Sequence, residues 1–100
     1  MRLEFSSRAE ADLGRILEYI AREADRETAW RYGLKIRKEC FQICLAPGKG
    51  KRHPIHSKLR KIVVGSHKIF YRTEPDRILI HRIWDGRRGS EPKITADRDQ

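Results

Sequence analysis

The sequence predicts an α+β domain in which an N-terminal strand and a helical hairpin precede a three-stranded antiparallel meander. In the first half of the chain, apolar residues recur at helical spacing; in the second half, β-branched and aromatic residues form three short runs. Tight turns separate these runs, so consecutive strands are expected to pair antiparallel, with the helices packed on one face of the sheet. The other face is expected to be basic and exposed to solvent.

A chain of 100 residues with 38% apolar content can build one small core. We therefore expect a single domain over residues 1–92. Residues 93–100 are polar and mixed in charge, and they are expected to form a mobile tail.

The first strand is predicted at residues 3–5, and a helix follows it. Ser6 or Ser7 offers an N-cap, and Ser7 and Glu10 have the spacing of a capping box. Asp12 is assigned to the polar sides of this helix. The apolar stripe consists of Ala9, Leu13, Ile16, Leu17 and Ile20.

The second helix is predicted to begin after an Asp25 cap and to run to about Leu45. Its apolar residues form two adjacent rows that together cover about half of the circumference, so this helix is expected to contact both the first helix and the sheet. One row is Ala29, Gly33, Ile36, Cys40, Ile43 and Cys44, and the other is Trp30, Leu34, Phe41 and Leu45.

After Pro47, residues 48–56 are predicted to form a basic loop that lacks the glycine frame of a phosphate-binding loop. Three strands follow within residues 59–84, separated by turns at 65–66 and 74–76. Simple alternation places Lys68, Phe70 and Arg72 opposite Ile69 and Tyr71, and places Ile78, Ile80, Arg82 and Trp84 opposite Leu79, His81 and Ile83.

The charge is unevenly distributed. The chain has a net charge of +9, and residues 46–88 alone carry 12 Lys and Arg against 3 Asp and Glu. Such a surface favours an anionic partner, which could be nucleic acid, a membrane surface or an acidic protein. No apolar run is long enough for a membrane span or a signal peptide, so a cytoplasmic protein without membrane association is expected.

Two cysteines and two histidines suggest a zinc site that we do not favour. Cys40 and Cys44 fall on the apolar side of the second helix, whereas structural zinc sites usually take their thiolates from turns. We expect reduced core cysteines and exposed His53 and His56, and no metal or other cofactor.

The order of elements and several local motifs resemble the RelE/ParE superfamily of toxins from toxin–antitoxin modules, and its ParE branch most closely. Two positions depart from the branch: Asp85 stands where histidine commonly precedes Gly-Arg-Arg, and His67 stands where an aromatic residue is frequent. The motifs that carry the resemblance are Ala9-x-x-Asp12-Leu13-x-x-Ile16-x-x-Tyr19-Ile20, Leu45-Ala46-Pro47, Leu59-Arg60, Ile69-x-Tyr71 and Ile80-x-x-Ile83-x-Asp85-Gly86-Arg87-Arg88.

The resemblance implies a toxin that a cognate, acidic ParD-like antitoxin holds inactive in a hetero-oligomer. ParE-like members poison DNA gyrase by binding and RelE-like members cleave mRNA on the ribosome, and a shared fold does not decide between these activities. We expect the gyrase-binding activity, without catalytic residues. The alternatives are a RelE-like endoribonuclease and an antitoxin-binding module with weak or lost toxicity.

The candidate site residues fall into two groups. A RelE-like nuclease would place a tyrosine or histidine near the C-terminal end, and none follows His81, so contact with gyrase is the favoured role there. The basic face favours antitoxin carboxylates over direct nucleic-acid binding, although a solvated face is the plainer alternative. The target-binding candidates are Trp84, Asp85, Gly86, Arg87 and Arg88, and the basic-face candidates are Arg60, Lys61, Arg72 and Arg82.

Overall fold

A computed structural model of the chain describes residues 1–86, in which two helices pack on one face of a five-stranded mixed sheet. The sheet order is β1-β5-β4-β3-β2. The predicted α+β architecture is confirmed. Its elements are β1 (Arg2–Phe5), α1 (Ser7–Glu23), α2 (Arg26–Ile43), β2 (Lys51–Arg52), β3 (Leu59–Val64), β4 (His67–Thr73) and β5 (Arg77–Asp85).

The sheet contains the predicted antiparallel meander, β3-β4-β5, and adds a strand at each side. β1 runs parallel to β5, with Phe5 opposite Ile80. The short β2 lies in the segment predicted as a loop and pairs antiparallel with β3. Two residues are too few to show a strand period, and the segment before them is held by the Gly50 amide, which donates to the Tyr71 hydroxyl at 2.8 Å.

Both helices begin at side-chain caps. Asp25 caps α2 by accepting a hydrogen bond from the Thr28 amide at 2.7 Å. Ser6, not Ser7, caps α1, because its Oγ accepts from the Ala9 amide at 3.0 Å. The same Oγ donates to the carbonyl of His81 at 2.8 Å, so this one hydroxyl starts the helix and ties it to β5.

A β-bulge in β5 inverts the predicted alternation. Phe70 pairs with Arg82 whereas Tyr71 pairs with Ile80, so His81 is an extra residue in β5. The prediction that Ile80, Arg82 and Trp84 share one face is wrong, because one inserted residue turns every later side chain to the other face. Ile83 consequently joins Ile80 in the core beneath the helices.

The main core lies between the helices and the sheet, and only one of the two apolar rows of α2 contributes to it. The row that includes Ile36 and Cys40 is buried, whereas Trp30, Leu34 and Phe41 are 66%, 48% and 59% exposed. α2 contacts both α1 and the sheet as expected, but it does so through the first row, and the second row stays exposed.

The face of the sheet that points away from the helices carries a second, smaller apolar cluster. Leu59 and Phe70 are fully buried there, and Trp84 packs against them. The segment after β2 helps to cover this cluster, since the His53 ring lies 6.3 Å from the Phe70 ring. The expectation of a face that is entirely basic and exposed is therefore wrong at these positions, while Tyr71 is buried as predicted.

Neither helix within residues 1–86 combines the length and apolar character needed to cross a bilayer. The predicted domain boundary at residue 92 and the predicted tail at 93–100 lie outside the described residues.

Candidate functional site

Within residues 1–86, β1 pairs with β5 only as far as Ile80. The part of β5 beyond the bulge therefore has α1 beside it on that side and no other described strand. An open groove of about 470 Å³ lies between α1 and this part of β5. It is lined by Asp12, Arg15, Ile16, Glu18, Tyr19, Arg22, His67, Ile83, Trp84 and Asp85.

The Asp12 carboxylate fixes this end of β5 to α1. It is 4% exposed and accepts hydrogen bonds from Arg82 Nε at 2.8 Å and from the Ile83 amide at 3.0 Å. Arg15 Nη2 donates to the same carboxylate at 2.7 Å from the solvent side. The hydrogen bond to Asp12 raises the pKa of the Arg82 guanidinium above its ordinary value.

The helical pattern alone places Asp12 on the polar sides of α1 and does not show this role. A signal was present, because Asp12 is three residues after Ala9 and four before Ile16, which places it at the margin of the apolar stripe. A carboxylate at such a position needs a partner, since a buried charge is costly when it is unpaired.

Trp84 and Asp85 point to opposite faces of the sheet. Trp84 is half-buried against the smaller apolar cluster, with the Arg82 guanidinium 5.4 Å from its ring centroid. Asp85 pairs across the strands with His67, which is 6% exposed. The two positions that depart from the ParE-like motifs are thus neighbours in the sheet. Tyr32 of α2 completes the group, with its hydroxyl 2.6 Å from His67 Nδ1.

Gly86 ends the described chain in a close contact with the turn between β3 and β4. Its amide donates to the Ser66 carbonyl at 2.6 Å, and a Cβ at this position would lie 2.8 Å from that oxygen. Only glycine fits without displacing the turn. Arg87 and Arg88, which follow, lie outside the described residues.

The basic-face candidates are engaged within the chain. The Arg82 and Arg72 side chains are only 13% and 12% exposed, and they pair with Asp12 and with Glu74 respectively. Arg60 Nη1 donates to the Gly50 carbonyl at 2.8 Å and so holds the segment before β2. Lys61 is half-buried on β3. These four residues therefore do not form one open cluster of cations.

The cysteines and histidines considered for zinc lie on different sides of the sheet. Cys40 belongs to the core under α2, where burial raises the pKa of its thiol to about 12. His53 packs against Phe70 on the opposite face. Within residues 1–86, no three His, Cys, Asp or Glu side chains converge in an arrangement that could hold a metal ion.

Comparison with known proteins decides the family. Residues 3–89 match a family model described as the ParE toxin of the type II toxin–antitoxin system parDE. The chain belongs to the ParE toxin family. A search of curated proteins by sequence found no match.

The fold of this ParE chain is also similar to that of a solved structure. That structure, described as the chromosomal ParDE TA system from P. aeruginosa, superimposes with a TM-score of 0.74 at 20% sequence identity. The similarity covers 85% of this chain and 95% of the other. Together with the family match, it confirms the resemblance to the RelE/ParE superfamily that the sequence motifs indicated.

Proposed function

We propose that this ParE chain inhibits DNA gyrase by binding and that a cognate ParD-like antitoxin neutralises it in a hetero-oligomer. The family match supports the toxin role, and the similar P. aeruginosa structure, which is of a ParDE system, supports the antitoxin partner. Binding needs neither a catalytic residue nor a cofactor, and the proposal includes none. The protein acts in the cytoplasm, where gyrase and its DNA are found.

The observation that carries the proposal is the anchored free end of β5. Asp12 holds the strand from α1, and the contact between Gly86 and Ser66 holds the residue that follows the strand. In the sequence, Arg87 and Arg88 follow Gly86 directly. Two guanidinium groups suit the carboxylates of gyrase or the phosphates of its bound DNA.

A second candidate function, mRNA cleavage, is favoured by one specific observation. His67 lies opposite Asp85 at the groove. This end of the sheet therefore has an imidazole, although no histidine lies beside Asp85 in the sequence. Imidazole is the commonest general acid or base. Against this function, His67 is only 6% exposed, and Nδ1 is in contact with the Tyr32 hydroxyl. The buried contact between His67 and Tyr32 therefore fits a structural role better than a catalytic site that RNA can reach.

Antitoxin binding also draws on the basic charge of the second half of the chain. Arg60 and Lys61 stay candidates for contact with an acidic antitoxin, since they are partly exposed on β3. Arg72 and Arg82 are proposed to attract the antitoxin at long range and not through direct ion pairs, because their guanidinium groups already pair with Glu74 and Asp12.

The test is a pair of matched double variants expressed with and without the antitoxin. Arg87→Ala with Arg88→Ala is expected to reduce growth arrest by at least tenfold in effective dose while leaving antitoxin affinity within about threefold, because the pair contacts the target. Arg8→Ala with Lys58→Ala removes the same charge from exposed positions elsewhere and is expected to keep both activities.

Three results would contradict the proposal. Equal loss of toxicity and antitoxin affinity in the Arg87 and Arg88 variant would show that these arginines serve the antitoxin or the fold. Loss of toxicity in His67→Gln, with cut mRNA in ribosomes treated with the wild type, would favour the nuclease. A wild type without growth arrest that still binds the antitoxin would indicate a module that has lost its toxicity.

A further inference from the structure

An open pocket of about 790 Å³ lies at the end of the sheet where β3 begins and β4 ends. β4 runs from His67, which lines the groove beside α1, to Thr73, which lines this pocket, and its 7 residues span about 20 Å. The two openings share no lining residue. Hydrogen-bond donors dominate the lining of the pocket, and they come from His56, Ser57, Lys58, Arg60, Arg72 and Thr73.

We propose that this pocket, which we call the β3–β4 pocket, binds the phosphate group of a small phosphate monoester. This ligand goes beyond the proposed function, and neither gyrase nor the antitoxin takes part in its binding. Several donors on the pocket walls have no acceptor within residues 1–86, while the carboxylate among the lining residues is already paired. Such a combination is complementary to an anion with several acceptor oxygens.

The Arg60 guanidinium is fixed by one of its nitrogens and keeps the others available. Nη1 donates to the Gly50 carbonyl at 2.8 Å and to the Gly48 carbonyl at 3.4 Å. Within residues 1–86, neither Nε nor Nη2 donates a hydrogen bond. Nε and Nη2 form the fork with which arginine binds two oxygens of one phosphate. The backbone contacts therefore orient this fork without neutralising its charge.

The turn before β3 adds donors from both side chains and backbone. Ser57 and Lys58 are exposed, and in the described part of the chain neither their side chains nor their amides donate a hydrogen bond. The Thr73 hydroxyl, at the end of β4, likewise has no acceptor among residues 1–86. Successive backbone amides in a turn recur in phosphate sites, and the lysine adds a point charge.

Glu74 is the acidic residue that lines the pocket, and its charge is balanced. Its carboxylate pairs with Arg72 Nη2 at 2.8 Å and with Arg77 Nη2 at 3.0 Å. The hydrogen bond from Arg77 lowers the pKa of this carboxyl group below its ordinary value. Lys58, Arg60 and Arg72 line the pocket against this one carboxylate, so the lining has a net positive charge.

The wall that carries most of these donors is held in place by His53. Its Nδ1 accepts hydrogen bonds from the amides of Ile55 and His56, both at 3.1 Å. Its own amide donates to the Leu59 carbonyl at 2.9 Å, and its ring lies 6.3 Å from the buried ring of Phe70. A wall that is already formed loses less conformational entropy when a ligand binds.

The size of the pocket and its apolar residues favour an ester over free phosphate. Its volume falls within the range of small-molecule pockets, about 300–1,000 Å³. Ile55, which is 80% exposed, and Pro75 line it and offer an apolar contact to an organic group. A monoester presents three free oxygens and up to two negative charges, whereas a nucleic-acid phosphate carries a single charge. The unused donors therefore favour the monoester.

The first test titrates adenosine 5′-monophosphate, inorganic phosphate and adenosine against the isotope-labelled full chain. We expect the monophosphate to bind and to shift the amide signals of Ser57, Lys58 and Thr73, inorganic phosphate to bind more weakly, and adenosine not to bind. Failure of the monophosphate to bind at millimolar concentration, or shifts spread evenly over the basic surface, would overturn the proposal. Equal binding of inorganic phosphate would overturn the choice of an ester.

A single-stranded oligothymidylate tests the phosphodiester alternative. At an equal concentration of phosphate groups, it is expected to leave the bound monophosphate in the β3–β4 pocket, because each of its phosphates carries only one charge. Displacement of the monophosphate, read from the Ser57 and Thr73 amide signals, would overturn the proposal in favour of nucleic acid.

The second test compares two double variants that each remove one hydroxyl and one cation from adjacent, exposed residues. Ser57→Ala with Lys58→Ala is expected to lower the affinity for the monophosphate about tenfold, because two donors to its oxygens are lost. Ser7→Ala with Arg8→Ala, on α1, is expected to leave that affinity unchanged. Equal loss in both variants would indicate a general charge effect and would overturn the assignment, as would no loss in the first.

Arg60→Lys tests the fork itself. The substitution keeps the positive charge but removes the paired Nε and Nη2 donors, so the affinity for the monophosphate is expected to fall about fivefold. Circular dichroism checks that the variant is folded. A folded Arg60→Lys variant with unchanged affinity would contradict the role of the fork.

Discussion

The Asp12 carboxylate is the polar group on which the candidate site depends most directly. It is buried, and it joins α1 to β5 by accepting from a guanidinium and from a backbone amide that no other strand of residues 1–86 reaches. Removing one partner of a buried ion pair leaves the other charge without compensation, which costs far more than the loss of an exposed pair. The same carboxylate also binds the exposed Arg15, so a buried and an exposed ion pair can be compared at one residue.

Asp12→Ala is therefore expected to lower the free energy of unfolding by about 3 kcal/mol, since Arg82 and the Ile83 amide lose their acceptor. Arg15→Ala is the control and should cost less than about 1 kcal/mol, because the Arg15 side chain is 65% exposed. Urea denaturation measures both values. Similar values for the two variants would mean that the buried contacts contribute little.

The sequence predicted the secondary-structure elements that are long enough to show a period, which are helices of several turns and strands of several alternating residues. Helices α1 and α2 and strands β3, β4 and β5 all show their period in the sequence. β2 was missed because two residues have no period. The bulge at His81 was missed because it is a feature of the register between β4 and β5, which the local sequence does not show.

The role of the motif from Trp84 to Arg88 in target binding stays a prediction. The structure places Trp84 and Asp85 at the far end of β5 beside a groove, but the contacts made there were not predictable from the sequence. The pairing of His67 with Asp85 and the burial of Arg72 and Arg82 depend on strand register, which local sequence leaves open.

A single hydroxyl ties α2 to the turn between β3 and β4. Tyr32 donates to the Val64 carbonyl at 3.0 Å and contacts His67, while Gly65 turns the chain with a φ of 59°. This hydrogen bond places α2 over the sheet close to His67, which pairs with Asp85.

Tyr32→Phe is expected to destabilise the chain by about 1 kcal/mol, because the Val64 carbonyl loses a partner in a half-buried position. Tyr19→Phe removes a hydroxyl from a side chain that is 51% exposed and should change stability by less than about 0.5 kcal/mol. Thermal unfolding followed by circular dichroism compares the two. A Tyr32 variant as stable as the Tyr19 variant would show that packing alone positions α2.

Considered as a whole, the molecule has surfaces of different chemical character on α2 and at the end of β5. The helices and sheet enclose the main core, α2 exposes a row of apolar side chains, and β5 presents an anchored end that two arginines follow in the sequence. Membership of the ParE family makes these surfaces parts of a toxin. We propose that the end of β5 contacts the target.

The most direct test of this account is the supercoiling of relaxed plasmid by purified gyrase in the presence of the purified chain. We expect the wild type to inhibit supercoiling, the Arg87→Ala with Arg88→Ala variant to inhibit at least tenfold less, and prior addition of the antitoxin to restore activity. Unchanged supercoiling at a large molar excess of the wild type, with growth arrest intact in cells, would contradict the assignment of gyrase as the target.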